Sequence, residues 1–174
     1  MSAIDWSLQA LRTFPRTLHS FIVDIPQNAF DFRPVAWDGI PSELLTIRQQ
    51  ICHLRDIEAD GYFVRFSRVL READPTLDSI DTYELVERRN YDQTGIDDAL
   101  KAFTDARAGT MRLLDGLTPS DLERRAQFEG YGTVTLAGLV HYLSSHDQQH
   151  LSGIQWLLGK HAASNASYAH TCAS

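Results

Sequence analysis

Cysteine is nearly absent from this chain, with only Cys52 and Cys172 among 174 residues. No framework of spacings joins the two, so a disulfide-stapled scaffold is excluded and free thiols are expected. No apolar run approaches the roughly 18 residues that a membrane-spanning helix needs. A basic surplus is missing too. The formal charge of −7 argues against general affinity for nucleic acid or an anionic membrane surface. Met1-Ser2-Ala3-Ile4-Asp5-Trp6 lacks the basic start and apolar run of a secretory signal, so a cytoplasmic location is expected. No strand series and no internal repeat is visible. What remains is an ordinary globular composition, 43% hydrophobic and 22% charged, at a length suited to one domain.

Four helical patterns carry the apolar residues. The first spans about Ile4 to Ile22, with a kink or break expected at Pro15. A connector from Asp24 to Pro41 offers Phe30, Phe32, Val35 and Trp37 to cover a bundle end. The second helix starts at Thr46, where Thr46-Ile47-Arg48-Gln49 fits a capping box, or at the competing Ser42, and runs through Leu70 to end before Pro75. Asp74 to Gly95 reads as a polar connection with a short helix around Thr82 to Arg89. The third helix runs from Ile96 to Gly116. Thr118-Pro119-Ser120-Asp121 is a turn with a short helical start, and Glu129-Gly130-Tyr131-Gly132-Thr133 is a second turn. The fourth helix starts near Thr133 or Thr135 and continues to Leu158, with Gly159 as its stop. Residues 1–160 thus read as an all-α bundle, and 161–174 as an aperiodic, flexible tail.

The chemistry concentrates in His146-Asp147-Gln148-Gln149-His150. Two histidines four residues apart stand about one turn from each other on one helix face. Both fall on the apolar stripe Leu136, Leu139, Val140, Leu143, His146, His150, Ile154, Leu157, where an unpartnered polar ring is costly. A third histidine, His53, lies on the second helix roughly in line with Ile57, Asp60 and Val64. Three neutral imidazoles from two helices can hold one face of a metal ion and leave positions open for water or substrate. Cys52 does not join them, because its neighbour His53 points about 100° away around the helix.

Thr46 to His53, followed by Asp56 and Glu58, resembles the second-helix motif of the DinB/YfiT-like metalloenzyme superfamily. Gly132-Thr133-Val134-Thr135-Leu136 with the later His-Asp-x-x-His-Leu resembles that family's fourth-helix motif, and Trp37 and the proline-bearing first helix also fit. The resemblance implies a four-helix bundle of up-down-down-up topology, usually a homodimer. It also implies one divalent metal on His53, His146 and His150. Characterised relatives include bacillithiol S-transferases and a mycothiol-dependent maleylpyruvate isomerase. Gln127-Phe128-Glu129 departs from the pattern, since members often carry a histidine just before the turn leading to the fourth helix.

All-nitrogen ligation suits zinc, nickel, iron or copper, with zinc and nickel foremost. An open site would bind water or a low-molecular-weight thiol in deprotonated form, for attack on an electrophilic small-molecule substrate. The expectation is therefore a metal-dependent thiol S-transferase or hydrolase. Two alternatives stand beside it, a non-catalytic metal-binding, stress-related protein and a bundle whose histidines merely bond one another. His141, about 140° around the helix from His146, should face outward or toward a partner subunit. His19, His161 and His170 lie outside the constellation. Asp147 reads as a contact that orients an imidazole rather than as a general base. Asp60 is the acid to examine for a role on a bound water. Arg88-Arg89 reads as a surface feature.

Overall fold

Hydroxyl side chains set where the long helices begin. The computed structural model describes residues 2–171, with side chains through residue 166. Ser2 and Asp5 form a reciprocal capping box that opens α1 (Ala3–Ile22). Thr46 and Gln49 do the same for α2 (Ile47–Asp56), so Ser42 is not the start used. A π-helical turn, Ile57–Tyr62, joins α2 to α3 (Phe63–Arg71). There the Phe63 N–H bonds to the Glu58 carbonyl, five residues back. The chain continues through β1 (Thr76–Leu77), α4 (Thr82–Arg88) and α5 (Ile96–Leu114). Then come α6 (Pro119–Leu122), β2 (Arg125–Phe128), β3 (Gly132–Thr135) and α7 (Leu136–Thr171). Thr135 Oγ accepts the Gly138 N–H at 3.0 Å and so caps α7.

The helix α1 packs on α5 and α7, and α2 packs on the same two. Hence α1 and α2 stand at opposite corners of a four-helix bundle, with the α2–π–α3 run counted as one helix. The diagonal steps need long crossings, which residues 23–46 and 115–135 supply. Residues 72–95 run back along the bundle between the two parallel middle helices of this up-down-down-up arrangement. The second crossing carries β2 and β3, which join β1 from the connection after α3 in a small sheet of order β1-β2-β3. β1 pairs parallel with β2 through Thr76↔Gln127, and β2 pairs antiparallel with β3 through Ala126↔Val134. These strands of two to four residues are too short to show an alternating pattern, so the sequence reading found only the turn between them. Gly130 (φ +81°) and Gly132 (φ +75°) supply the left-handed backbone of that turn.

Three further expectations are corrected. Pro15 does not break α1, which stays helical from Ala3 to Ile22. The proline N lacks the hydrogen that would bond Leu11 O, and the buried Arg107 Nη1 donates to that carbonyl instead at 3.0 Å. Gly159 does not stop the last helix, and the segment read as an aperiodic tail continues it to Thr171, with His161 edge-on to Phe32. Val35, expected to pack over the bundle end, is fully exposed. Its connector neighbours do cover that end: Phe30 is buried and Trp37 stacks on Trp156 at 6.5 Å.

Two apolar clusters form the core, one around Phe14, Leu54, Phe103 and Ile154, the other around Leu11, Phe66, Met111 and Leu143. Buried polar residues fall between them along the α2–α3 run, α5 and α7, whereas α1 carries none. The seam holds Arg107 on α5, Glu58 on the π turn, and the histidine region of α7.

Candidate metal centre

The seam brings His53, His146 and His150 into mutual contact. Ring centroids stand 5.2 Å apart for His53–His146, 4.6 Å for His53–His150 and 4.5 Å for His146–His150. His53 Nε2 lies 3.1 Å from His146 Nε2. Two nitrogens bound at about 2.0–2.1 Å to one tetrahedral ion would stand about 3.3 Å apart, so the spacing suits a shared cation. His53 and His150 are buried, and His146 is half-buried with its Nδ1 sealed from solvent.

Glu43 joins this set and was missed by sequence reading. Its Oε2 lies 3.2 Å from His150 Nε2 and its Oε1 3.9 Å from His53 Nε2. One ligand atom from each of Glu43, His53, His146 and His150 lies within 4.8 Å of all the others. Glu43 sits in the irregular connector after Pro41, outside any helical period, so no pattern announced it. The carboxylate is half-exposed, which puts it at the mouth of the cluster.

The protonation states favour coordination. Burial holds the His53 imidazole down to about 4, opposed by the nearby Asp56 carboxylate. Burial also pushes His146 and His150 well below the ordinary histidine value, reinforced by the neighbouring imidazoles. All three rings are therefore neutral at pH 7 and keep a lone pair for a ligand bond. His150 Nδ1 lies 3.1 Å from Gln50 Oε1, so its N–H donates there and Nε2 is the free nitrogen. That Nε2 is buried with no hydrogen-bond partner, a cost that a metal ion would remove. Gly153 makes the arrangement possible, since a Cβ there would stand 2.7 Å from Gln50 Oε1 and 2.2 Å from Ser42 Oγ.

Asp147 does not orient an imidazole, contrary to expectation. It is buried and forms a fork with Arg107, Nη1–Oδ2 at 2.8 Å and Nη2–Oδ1 at 2.9 Å. Arg107 Nη2 also donates to Glu58 Oε2 at 2.9 Å. Burial pushes the Asp147 carboxyl up to about 6 against the pull of Arg107. Asp60 is exposed and pairs with Arg89 at 2.5 Å, away from the histidines. Arg89 also reaches the buried Asp56, which accepts from the Tyr91 hydroxyl at 2.7 Å, so this arginine is more than surface charge. Arg88 makes only an exposed pair with Glu84. Cys52 is a buried free thiol, and Cys172 lies outside the described residues. His141 faces outward and bonds Ser7 Oγ at 2.8 Å; His19 is exposed, and the His170 side chain is outside the described set.

A model of the DinB superfamily matches residues 10–154. The chain belongs to the DinB superfamily. A protein of Oceanobacillus iheyensis, named as a candidate metal-dependent hydrolase, is 24% identical over 152 residues, covering 86% of this chain and 82% of its own. YfiT from Bacillus subtilis, described as a probable metal-dependent hydrolase with an unusual four-helix bundle topology, superposes with a TM-score of 0.80 at 22% identity. That match covers 93% of this chain and 90% of YfiT. At this identity the likeness speaks for the DinB fold. Among the described residues no helix is long and apolar enough to cross a membrane.

Proposed function

We propose that this DinB-superfamily protein is a metal-dependent hydrolase of a small molecule, holding one divalent transition-metal ion on His53, His146 and His150. The observation that carries this reading is the convergence of three neutral imidazoles, one with a buried unpartnered Nε2, beside a half-exposed carboxylate. Zinc or nickel suits the donor set. When bound, the ion would supply Lewis acidity and a water of lowered pKa. Gln50 fixes the His150 tautomer so that Nε2 faces the cluster. Glu43, at the mouth, stands where it can accept a proton from an incoming nucleophile at either oxygen. The half-exposed Glu43 and the half-buried His146 mark the open side, from which a small substrate would enter. The same open side suits a thiol nucleophile, so a low-molecular-weight thiol belongs in the assay. A cytoplasmic homodimer is the accompanying expectation, checked by sedimentation of the purified chain.

The test is elemental analysis of untagged protein, followed by turnover of ester, amide and thiol-acceptor panels. About one equivalent of a transition metal is expected. Activity should vanish with chelation and in His150→Ala, and return to the wild type on adding zinc or nickel. Full turnover by metal-free protein would refute the reading. Saturation with metal and no turnover on any panel would favour the non-catalytic alternative.

A further inference from the structure

Arg65 is a buried cation with no carboxylate to answer it. It is 6% exposed, and among the described residues no acidic group stands within 4 Å of its guanidinium. The contrast with its neighbours is plain: Arg107 has Glu58 and Asp147, and Arg55 and Arg89 share Asp56. Among the described residues Arg65 makes one hydrogen bond, from Nη2 to the Asp78 carbonyl at 2.8 Å. Its Nε is sealed from solvent without a partner. Nη1 also lacks a partner but is not sealed, so it is the edge an incoming group can reach. Two aromatic faces hold the guanidinium, with Cζ 5.2 Å from the Tyr62 ring and 4.6 Å from the Phe128 ring. Such contacts offset part of the desolvation but leave the donors unused. Gly61 keeps the space open, since a Cβ there would come within 3.0 Å of Nη1.

This cation borders the histidine cluster. The Tyr62 ring that touches Arg65 also lies 6.3 Å from the His146 ring. Phe128, the second ring in contact with the guanidinium, stacks on the exposed Tyr131 at 4.6 Å, and Tyr131 meets Tyr142 at 4.9 Å. Tyr142 precedes His146 by one turn of α7. Aromatic contacts thus run from His146 to Arg65, whose Nη1 stands without a partner at the far end.

We infer that Arg65 is an anion subsite of the histidine centre, so that the substrate carries a carboxylate or phosphate on an apolar, flat body. The inference rests on the hydrolase reading for the identity of the site, and on Arg65 alone for the charge. An anion would accept a charge-assisted bond from Nη1, the donor that has no partner and is not sealed. Arg65 is a specificity residue in this account, while the reacting bond would lie nearer His146.

The experiment uses the whole chain after chelation, so that no metal can capture the anion. Benzoate, phenyl phosphate and neutral benzamide are titrated by calorimetry. At least tenfold tighter binding of benzoate or phenyl phosphate than of benzamide is expected, and the tighter of the two identifies the anion class. The preference should vanish in Arg65→Gln, weaken in Arg65→Lys, and persist in His150→Ala. Equal binding of benzamide and both anions to the wild type would overturn the proposal without any variant. A preference that survives in folded Arg65→Gln would also overturn it. Because the titrations use metal-free protein, they report on Arg65 whatever the outcome of the elemental analysis, so failure of the metal reading and failure of the anion subsite give different results.

Discussion

Replacing Arg107 by methionine should be among the costliest single changes in this protein. The guanidinium makes four bonds: to Leu11 O at 3.0 Å, to both oxygens of Asp147 at 2.8 and 2.9 Å, and to Glu58 at 2.9 Å. Methionine keeps the contacts of the stem with Phe14 and Phe103 but strands two buried carboxylates. Removing one partner of a buried ion pair costs about 3–5 kcal/mol, mostly the price of the charge left behind. The pH dependence separates this from simple loss of packing. In the wild type, burial already raises the Asp147 carboxyl to about 6, and Arg107 is the group pulling it down. Without Arg107 the folded-state value rises further above that of the unfolded chain. A raised carboxyl costs nothing below the unfolded pKa and progressively more as pH climbs through the folded one. The stability gap between variant and wild type should therefore be widest at pH 8 and shrink by pH 5. Urea denaturation in chelator at the two pH values measures it. A gap under about 1 kcal/mol, or one that does not change with pH, would refute the assignment of a charged network.

Gln50→Leu should leave the fold intact while lowering metal affinity about 10- to 100-fold, because His150 loses the acceptor that sets its tautomer; competition against a fluorescent chelator reads this out, and unchanged affinity would remove Gln50 from the site. Gly153→Ala would ordinarily stabilise a helix by about 1 kcal/mol. Here the new Cβ lands 2.7 Å from Gln50 Oε1, so a net loss of about 1–3 kcal/mol and weaker metal binding are expected, and a higher melting temperature would contradict the geometry. In metal-free protein, the His53 imidazole, held down to about 4 by burial, favours the fold fully above the ordinary histidine pKa. That contribution is lost as pH falls toward 4, amounting to about 2 kcal/mol between pH 7 and pH 5. Denaturation midpoints of wild type and His53→Gln across this range test it, and parallel profiles would count against the shift.

Periodicity made the bundle legible because each long helix buries one stripe, and the stripe on α7 carried His146 and His150 with it. The same register also contained Asp147, four residues after Leu143 and three before His150, and it is buried as that position dictates. Arg107 likewise stands four residues after Phe103 and four before Met111. Charged residues on an apolar stripe were a signal of a buried ionic network; Asp147 was read instead as support for an imidazole, and Arg107 was not singled out. Glu58 gave no such signal. The π turn from Ile57 to Tyr62 breaks the 3.6-residue period, so its inward aim cannot be counted from His53. Glu43 escaped for a different reason: irregular backbone has no period at all, and only the fold brings Pro41-Ser42-Glu43 over α7.

Proline 15 shows how the parts depend on one another. A proline inside a helix leaves one carbonyl without its usual donor, four residues back. In this bundle that carbonyl, Leu11 O, is where Arg107 attaches to α1. From α5 the same guanidinium reaches Glu58 on the π turn and Asp147 on α7, so one side chain contacts all the other long helical runs. Two of those contacts lie next to the histidine cluster in sequence: Glu58 is five residues from His53, and Asp147 adjoins His146. The ionic network thus fixes the rotation and height of the two helices that bring the three imidazoles together. Its charges, buried at some cost in stability, hold the rings in register for whatever the open side admits.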